Sequence, residues 1–378
     1  MSYRPRMIDI PLGELSYYRT GGTCEGVIVP RNTEEVRNAV DWLRTEKKPY
    51  FILGGGTNSL VSDDHFPGYV ISFHEMTALR SDGVVKGSAV NAGDVNGGDR
   101  NESEDVKEPV DEPTESIRIF AAAGVENTDI SEFAAENGLW DLSWMNRLPG
   151  QIGGTARMNA RCYGGEISQF VSKIRTVTQK GLIKTYEFEP GSDKARKLFR
   201  GYKDTDFMDS GEIVCEVGLT LQRFVSKEKN SEKMRSVREK MEFCKTDRMS
   251  KYQFVHPSCG CVFKNDHSPE VSVSSGFLLE KAGLKGSKVG SAEVSEGHAN
   301  FVFNLHGEAT SRDILELSFE MRERVFEKFG VWLEYEMEVL GEFEDDLDAA
   351  LSKTRPLDTR DEKKRALDEA RREFQNRS

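Results

Sequence analysis

The sequence of 378 residues has no apolar run long enough to cross a bilayer, and its opening stretch, Met1 to Arg6, lacks the pattern of a secretory leader. It is therefore expected to be cytoplasmic, without membrane insertion. Histidine and cysteine are scarce, six of each, and the cysteines are scattered singly or in one close pair from Cys24 to Cys261. That distribution excludes a disulfide-stapled scaffold and leaves reduced thiols as the expectation. His256, Cys259, Cys261 and His267 are close in sequence, but Cys-x-Cys is not the usual zinc spacing and no second cysteine pair follows, so no metal is expected. An excess of positive charge is also missing. With a net charge of −12, the chain is not expected to bind nucleic acid.

Glycine is what the chain does have, concentrated in two places. One loop reads Leu53-Gly54-Gly55-Gly56-Thr57-Asn58-Ser59 and directly follows the apolar run Tyr50-Phe51-Ile52-Leu53. Ahead of that run, Asn32 and Glu35 form a capping-box pattern, and Val36, Ala39, Val40 and Leu43 mark one face of a helix. Val27-Ile28-Val29 precedes the helix, so the N-terminal order is strand, helix, strand, glycine loop. The second cluster is Leu148-Pro149-Gly150-Gln151-Ile152-Gly153-Gly154-Thr155. Glycine lets peptide N–H groups approach a phosphate that side chains would hold away, although each glycine also fits an ordinary turn. Neither cluster fits G-x-G-x-x-G or G-x-x-x-x-G-K-[ST], which argues against a Rossmann site and a P-loop.

Between Gly83 and Glu115 there are nine acidic residues against three basic and few large apolar ones. Such a stretch cannot bury enough surface to offset its ordering entropy, so residues 83–115 are expected to form a disordered insertion. A strand then leads from Ile117 to a helix around Ile130 and Phe133, which stops at Asn137-Gly138. Further strands are expected near Ile174 to Val177 and Ile213 to Leu221, and a charged helix from Ser231 to Lys245 leads to the next domain. There, Ile314, Leu317, Met321 and Val325 form the buried stripe of a helix from Thr310 to Phe329, closed by Gly330. Residues 344–378 read as a charged tail with a surface helix from Asp361 to Phe374.

These loops, together with Tyr18-Arg19-Thr20-Gly21-Gly22-Thr23, resemble the FAD-binding domain of the vanillyl-alcohol-oxidase type. Pro257-Ser258-Cys259-Gly260-Cys261-Val262-Phe263-Lys264-Asn265, Val294-Ser295-Glu296-Gly297-His298-Ala299-Asn300 and Leu333-Glu334-Tyr335-Glu336 extend the similarity. The whole set most closely resembles the family of UDP-N-acetylenolpyruvoylglucosamine reductase, in the shorter branch that lacks an extra tyrosine loop. The resemblance implies an α+β fold: a two-lobed FAD-binding domain over residues 1–225 and a smaller α+β substrate-binding domain over 226–343. It also implies a flavoenzyme of peptidoglycan precursor synthesis, in which hydride passes from NADPH through FAD to UDP-N-acetylglucosamine enolpyruvate, giving UDP-N-acetylmuramate.

By resemblance, Gly54, Gly55, Gly56, Thr57 and Asn58 wrap the FAD pyrophosphate, and Gly150, Gly153 and Gly154 meet it from the second segment. Neither loop contains histidine, so the flavin is expected to be non-covalent. Cys261 stands where the family has a proton-donating serine; a thiol is the stronger acid, so proton donation remains sensible. Lys203 stands where the family has arginine, keeping the charge but losing the bidentate fork, with Arg200 and Arg157 as neighbouring cations. Glu336 occupies the position of the catalytic carboxylate, although alternation also allows Glu334, Glu336 and Glu338 to form an acidic strand face. Lys264 and Asn265 are assigned to the substrate, Lys264 meeting the UDP diphosphate. Two alternatives stay open: a flavoprotein that binds a UDP-sugar or another ligand without reducing it, and an FAD-dependent oxidase.

Overall fold

A computed structural model describes residues 4–85, 113–251, 254–265 and 271–377. The N-terminal order is the one the sequence predicts. Strand Cys24–Ile28 leads into helix Thr33–Thr45, and strand Tyr50–Leu53 follows. Asn32 caps the helix by accepting a hydrogen bond from the Glu35 N–H at 3.0 Å. Both strands lie parallel to Phe66–Ser72, which sits between them, and Met7–Ile8 adds an antiparallel edge.

The second sheet is wholly antiparallel, in the order Ile183–Glu187, Val171–Val177, Ile213–Phe224, Thr114–Ala122, Leu79–Val85. Helix Thr33–Thr45 lies between the two sheets. Its Val36, Ala39, Val40 and Leu43 pack on Ile28 and Ile71 from the first sheet and on Val177, Ile213 and Cys215 from the second. One apolar stripe thus joins the two lobes, because a helix covered on both flanks loses most of its apolar face to the core.

The C-terminal unit is built on helix Ser311–Phe329, with Ile314, Leu317, Met321 and Val325 buried as the periodicity predicts. Thr310 and Asp313 form a capping box at its start, and Gly330 ends it in the left-handed region at φ 72°. The short strands Lys288–Val289, Ala292–Val294 and Val302–Asn304 pack against it. A two-stranded parallel ladder, Ser59–Val61 with Glu338–Leu340, joins this unit to the strand after the first glycine loop.

Several expectations change. The ends of the acidic insertion are ordered strand, since Val84 pairs with Ile117 and Val85 with Ser116; the remainder of that reading, residues 86–112, lies outside the described residues. The charged helix runs from Lys227 to Ser250. Met234 and Val237 pack with Ala135, against the helix Asn127–Glu136, so it lies along the second lobe. The tail is not merely a solvated charged surface: helix Asp361–Arg377 buries Leu367 and Ala370, and Phe374 meets Phe277 edge-on at 5.3 Å. No strand carries an acidic stripe at Glu334 to Glu338, because only Glu338–Leu340 forms strand. Glu334 faces solvent, whereas Glu336 is turned inward. Among the described residues, no helix is long and apolar enough to cross a membrane.

Because Val85 pairs with Ser116, the two strand ends stand at hairpin distance. Replacing residues 86–112 with a short glycine-containing turn is expected to leave flavin binding intact. Absorbance of the purified variant checks this; a folded variant without bound flavin would contradict it.

Candidate active site

The two glycine segments touch. A side chain on Gly55 would meet Gly150 Cα at 3.2 Å, and one on Gly150 would press to 2.6 Å from Thr57 Oγ1. Gly56 takes φ +62°, and a Cβ there would lie 2.0 Å from the Leu15 carbonyl oxygen, so glycine is required by the fold itself. Gly154 is different: nothing lies within 4 Å of a Cβ built on it. Gly153 and Gly154 are not in a loop, as expected, but in the short helix Ile152–Arg157 that follows Gly150. Together, Gly54 to Asn58 and Gly150, Gly153 and Gly154 line a cleft of about 500 Å³.

Three further residues expected in the site line the same cleft: Lys203, Cys261 and Glu336. Backbone bonds bring them together. The Glu336 N–H donates to the Val262 carbonyl at 2.9 Å, setting Glu336 beside the Cys261 segment. Asn58 Nδ2 donates to the Glu336 carbonyl at 2.8 Å, tying the first glycine loop to the same point. Asn300 holds the Cys261 segment from the other side, accepting from the Phe263 N–H at 3.0 Å and donating to the Phe263 carbonyl at 2.7 Å.

Lys203 does not stand as a lone cation. Its Nζ is 2.9 Å from Glu336 Oε1, and both side chains are only 11% exposed. The other carboxylate oxygen, Oε2, accepts from the Tyr202 hydroxyl at 2.8 Å. The neighbouring arginines are also engaged, Arg157 with Glu338 and Arg200 with Asp204 and Asp209. Asn265 donates to Cys261 Sγ at 3.2 Å, so it supports the thiol. Burial, and secondly the Glu336 charge, push the Cys261 thiol up to about 12. Lys264 departs from expectation: its Nζ pairs at 3.2 Å with the solvent-facing Glu334, and it is not among the cleft-lining residues. Its neighbour Phe263 is fully buried, and alternation along the segment turns Lys264 outward.

Of the residues near a conceivable zinc site, Cys259 gives its thiol to the carbonyls of Gly56 and Ser59, and His267 lies outside the described residues. Tyr202 and Gln151 escaped the sequence reading. Tyr202 was signalled only by its place next to Lys203 in a short polar turn, and Gln151 by its position between the glycines of the second segment.

The geometry can be set beside known proteins. A profile of the FAD-binding domain matches residues 24–99, and one of the C-terminal domain of UDP-N-acetylenolpyruvoylglucosamine reductase matches residues 250–340. The reductase of Clostridium perfringens is 30% identical over 334 residues, covering 88% of this chain and 92% of its own. The chain belongs to the UDP-N-acetylenolpyruvoylglucosamine reductase family. The Treponema denticola reductase is 31% identical, covering 88% of this chain and 93% of its own. The crystal structure of the Thermus caldophilus reductase superposes with a TM-score of 0.62 at 26% identity, covering 88% of this chain and 98% of that one. The α+β architecture, with an FAD-binding domain and a reductase C-terminal domain, is that of the family.

The cleft suits FAD on its own terms. Gly154 leaves an open wall, a Cβ built on Gly54 would meet Gln151 at 3.7 Å, and the buried Gln151 Oε1 has no hydrogen-bond partner among the described residues. An unpaired buried acceptor is costly unless a ligand donates to it.

Gly154→Val is expected to fold but to purify without flavin, because its side chain enters the cleft. Gly56→Ala is expected to lose folded protein, since it collides with backbone. Circular dichroism and flavin absorbance separate the two; bound flavin in Gly154→Val would contradict the placement.

Proposed function

We propose that this chain is an NADPH-dependent flavoenzyme of the cytoplasm that reduces UDP-N-acetylglucosamine enolpyruvate to UDP-N-acetylmuramate. Residues 1–225 carry the flavin, and residues 226–343 bring the acid and the carboxylate to it. The observation that carries this reading is the cluster of Cys261, Glu336 and Lys203 on the wall of the glycine-bounded cleft. Bound FAD, reduced by NADPH, supplies the hydride.

The chain's residues supply what hydride alone cannot. Hydride addition to one carbon of the enol ether leaves an electron pair on the other, beside the substrate carboxylate. That pair needs nearby positive charge as it develops, and then a proton. Cys261 is suited to donate: with its thiol pushed up to about 12, it remains S–H well above the ordinary cysteine value of about 8.5. The S–H bond breaks as the C–H bond forms, and the thiolate recovers its proton from water. Lys203 offsets the Glu336 charge, so the transient thiolate does not stand beside an unbalanced carboxylate. Asn265 fixes the sulfur with its Nδ2–H. Lys264, paired to Glu334 and off the cleft, has no part in these steps.

The test is stopped-flow kinetics of the two half-reactions under anaerobic conditions. Cys261→Ala is expected to leave NADPH reduction of the flavin near normal and to slow reoxidation by the enolpyruvyl substrate by about a hundred- to ten-thousand-fold. Cys261→Ser is expected to restore much of that rate. Because the high thiol value keeps the proton on sulfur, wild-type reoxidation should not fall through thiol ionisation between pH 7 and about 9. Equal reoxidation rates for wild type and Cys261→Ala would assign the proton to another group.

A further inference from the structure

Tyr202 and Lys203 are adjacent in sequence, yet both reach one carboxylate. Adjacent residues on an extended strand point to opposite faces, so this convergence needs a special backbone. It comes from the hairpin between Phe199–Gly201 and Asp204–Thr205, in which Gly201 pairs with Asp204 and residues 202 and 203 form the turn. Lys203 adopts φ 53°, a left-handed conformation uncommon for a side-chain-bearing residue. The ring of Tyr202 is held from behind by Arg161, whose guanidinium lies 4.5 Å from the ring centroid.

We infer that Tyr202 is a positioning residue: its hydroxyl on Oε2 and the Lys203 ammonium on Oε1 clamp both oxygens of Glu336 and fix that carboxylate beside the Cys261 thiol. The inference rests on the reading of Cys261 and Glu336 given above. A glutamate carboxylate has free torsions, and one ion pair leaves its second oxygen able to rotate toward the thiol or the ligand. Two donors on two oxygens remove that freedom. Burial, and then the Glu336 charge, push the Tyr202 phenol far above its usual range, so it stays a donor at any working pH. Tyr202 and Lys203 from the hairpin reach the carboxylate, Cys261 stands on the neighbouring segment, and Arg161 lies behind the tyrosine ring.

The test is Tyr202→Phe, which removes one oxygen and keeps the ring under Arg161. Flavin reduction by NADPH should be unchanged. Reoxidation by UDP-N-acetylglucosamine enolpyruvate should slow about tenfold, with little change in the substrate concentration for half-saturation. A Tyr202→Phe enzyme with the wild-type reoxidation rate overturns the inference, as does equal slowing of both half-reactions or slowing explained by a raised half-saturating substrate concentration. Wild-type protein that fails to reoxidise with the enolpyruvyl sugar overturns the assigned reaction instead.

Discussion

The structure turns on a backbone seam at residues 336 to 340. The Glu336 N–H bonds to the Val262 carbonyl, the Glu338 N–H bonds to the Asn58 carbonyl, and Glu338–Leu340 then runs parallel to Ser59–Val61. These bonds are made by main chain, so they fix positions without depending on which side chains the segment carries. Through them the first glycine loop, the Cys261 segment and Glu336 form one unit, although Asn58 and Glu336 lie 278 positions apart in sequence. A cleft between domains becomes a site because this seam leaves little freedom between its walls.

The electrostatics of the site follow from burial. Removing Glu336 and Lys203 from water would be costly for either alone; at 2.9 Å each offsets the other. Tyr202 satisfies the remaining carboxylate oxygen, and Asn265 gives the thiol a donor. The same burial, with the negative carboxylate nearby, keeps Cys261 protonated. A thiol that would be half ionised in mildly alkaline water is thereby held as an acid.

Glycine positions and helix stripes were legible in the sequence because both are local. Gly56 and Gly150 answer to backbone angles and close approach, and Val36, Ala39, Val40 and Leu43 answer to helical periodicity. The order of motifs carried the family resemblance. What could not be read was pairing across the fold. Nothing local to Lys203 shows that its partner is Glu336, and Tyr202 and Lys203 converge across a two-residue turn in which Lys203 takes a positive φ. The pairing of Lys264 with Glu334 was hidden for a related reason: one step along the segment reverses the side-chain direction, and Phe263 takes the inward place. The tail helix read as solvated because its charge hides a narrow stripe of Leu367, Ala370 and Phe374 that has a surface to bury against.

The central claim, that this cleft passes hydride from NADPH to an enol ether and completes the reduction with a proton from its own wall, is tested most directly by one anaerobic turnover. The yellow protein is bleached with NADPH and mixed with UDP-N-acetylglucosamine enolpyruvate, and the sugar nucleotide is then weighed by mass spectrometry. The account predicts that flavin colour returns without oxygen and that the sugar nucleotide gains two hydrogens in equal amount. Colour that returns only when air is admitted, with the enolpyruvyl compound recovered unchanged, would contradict it.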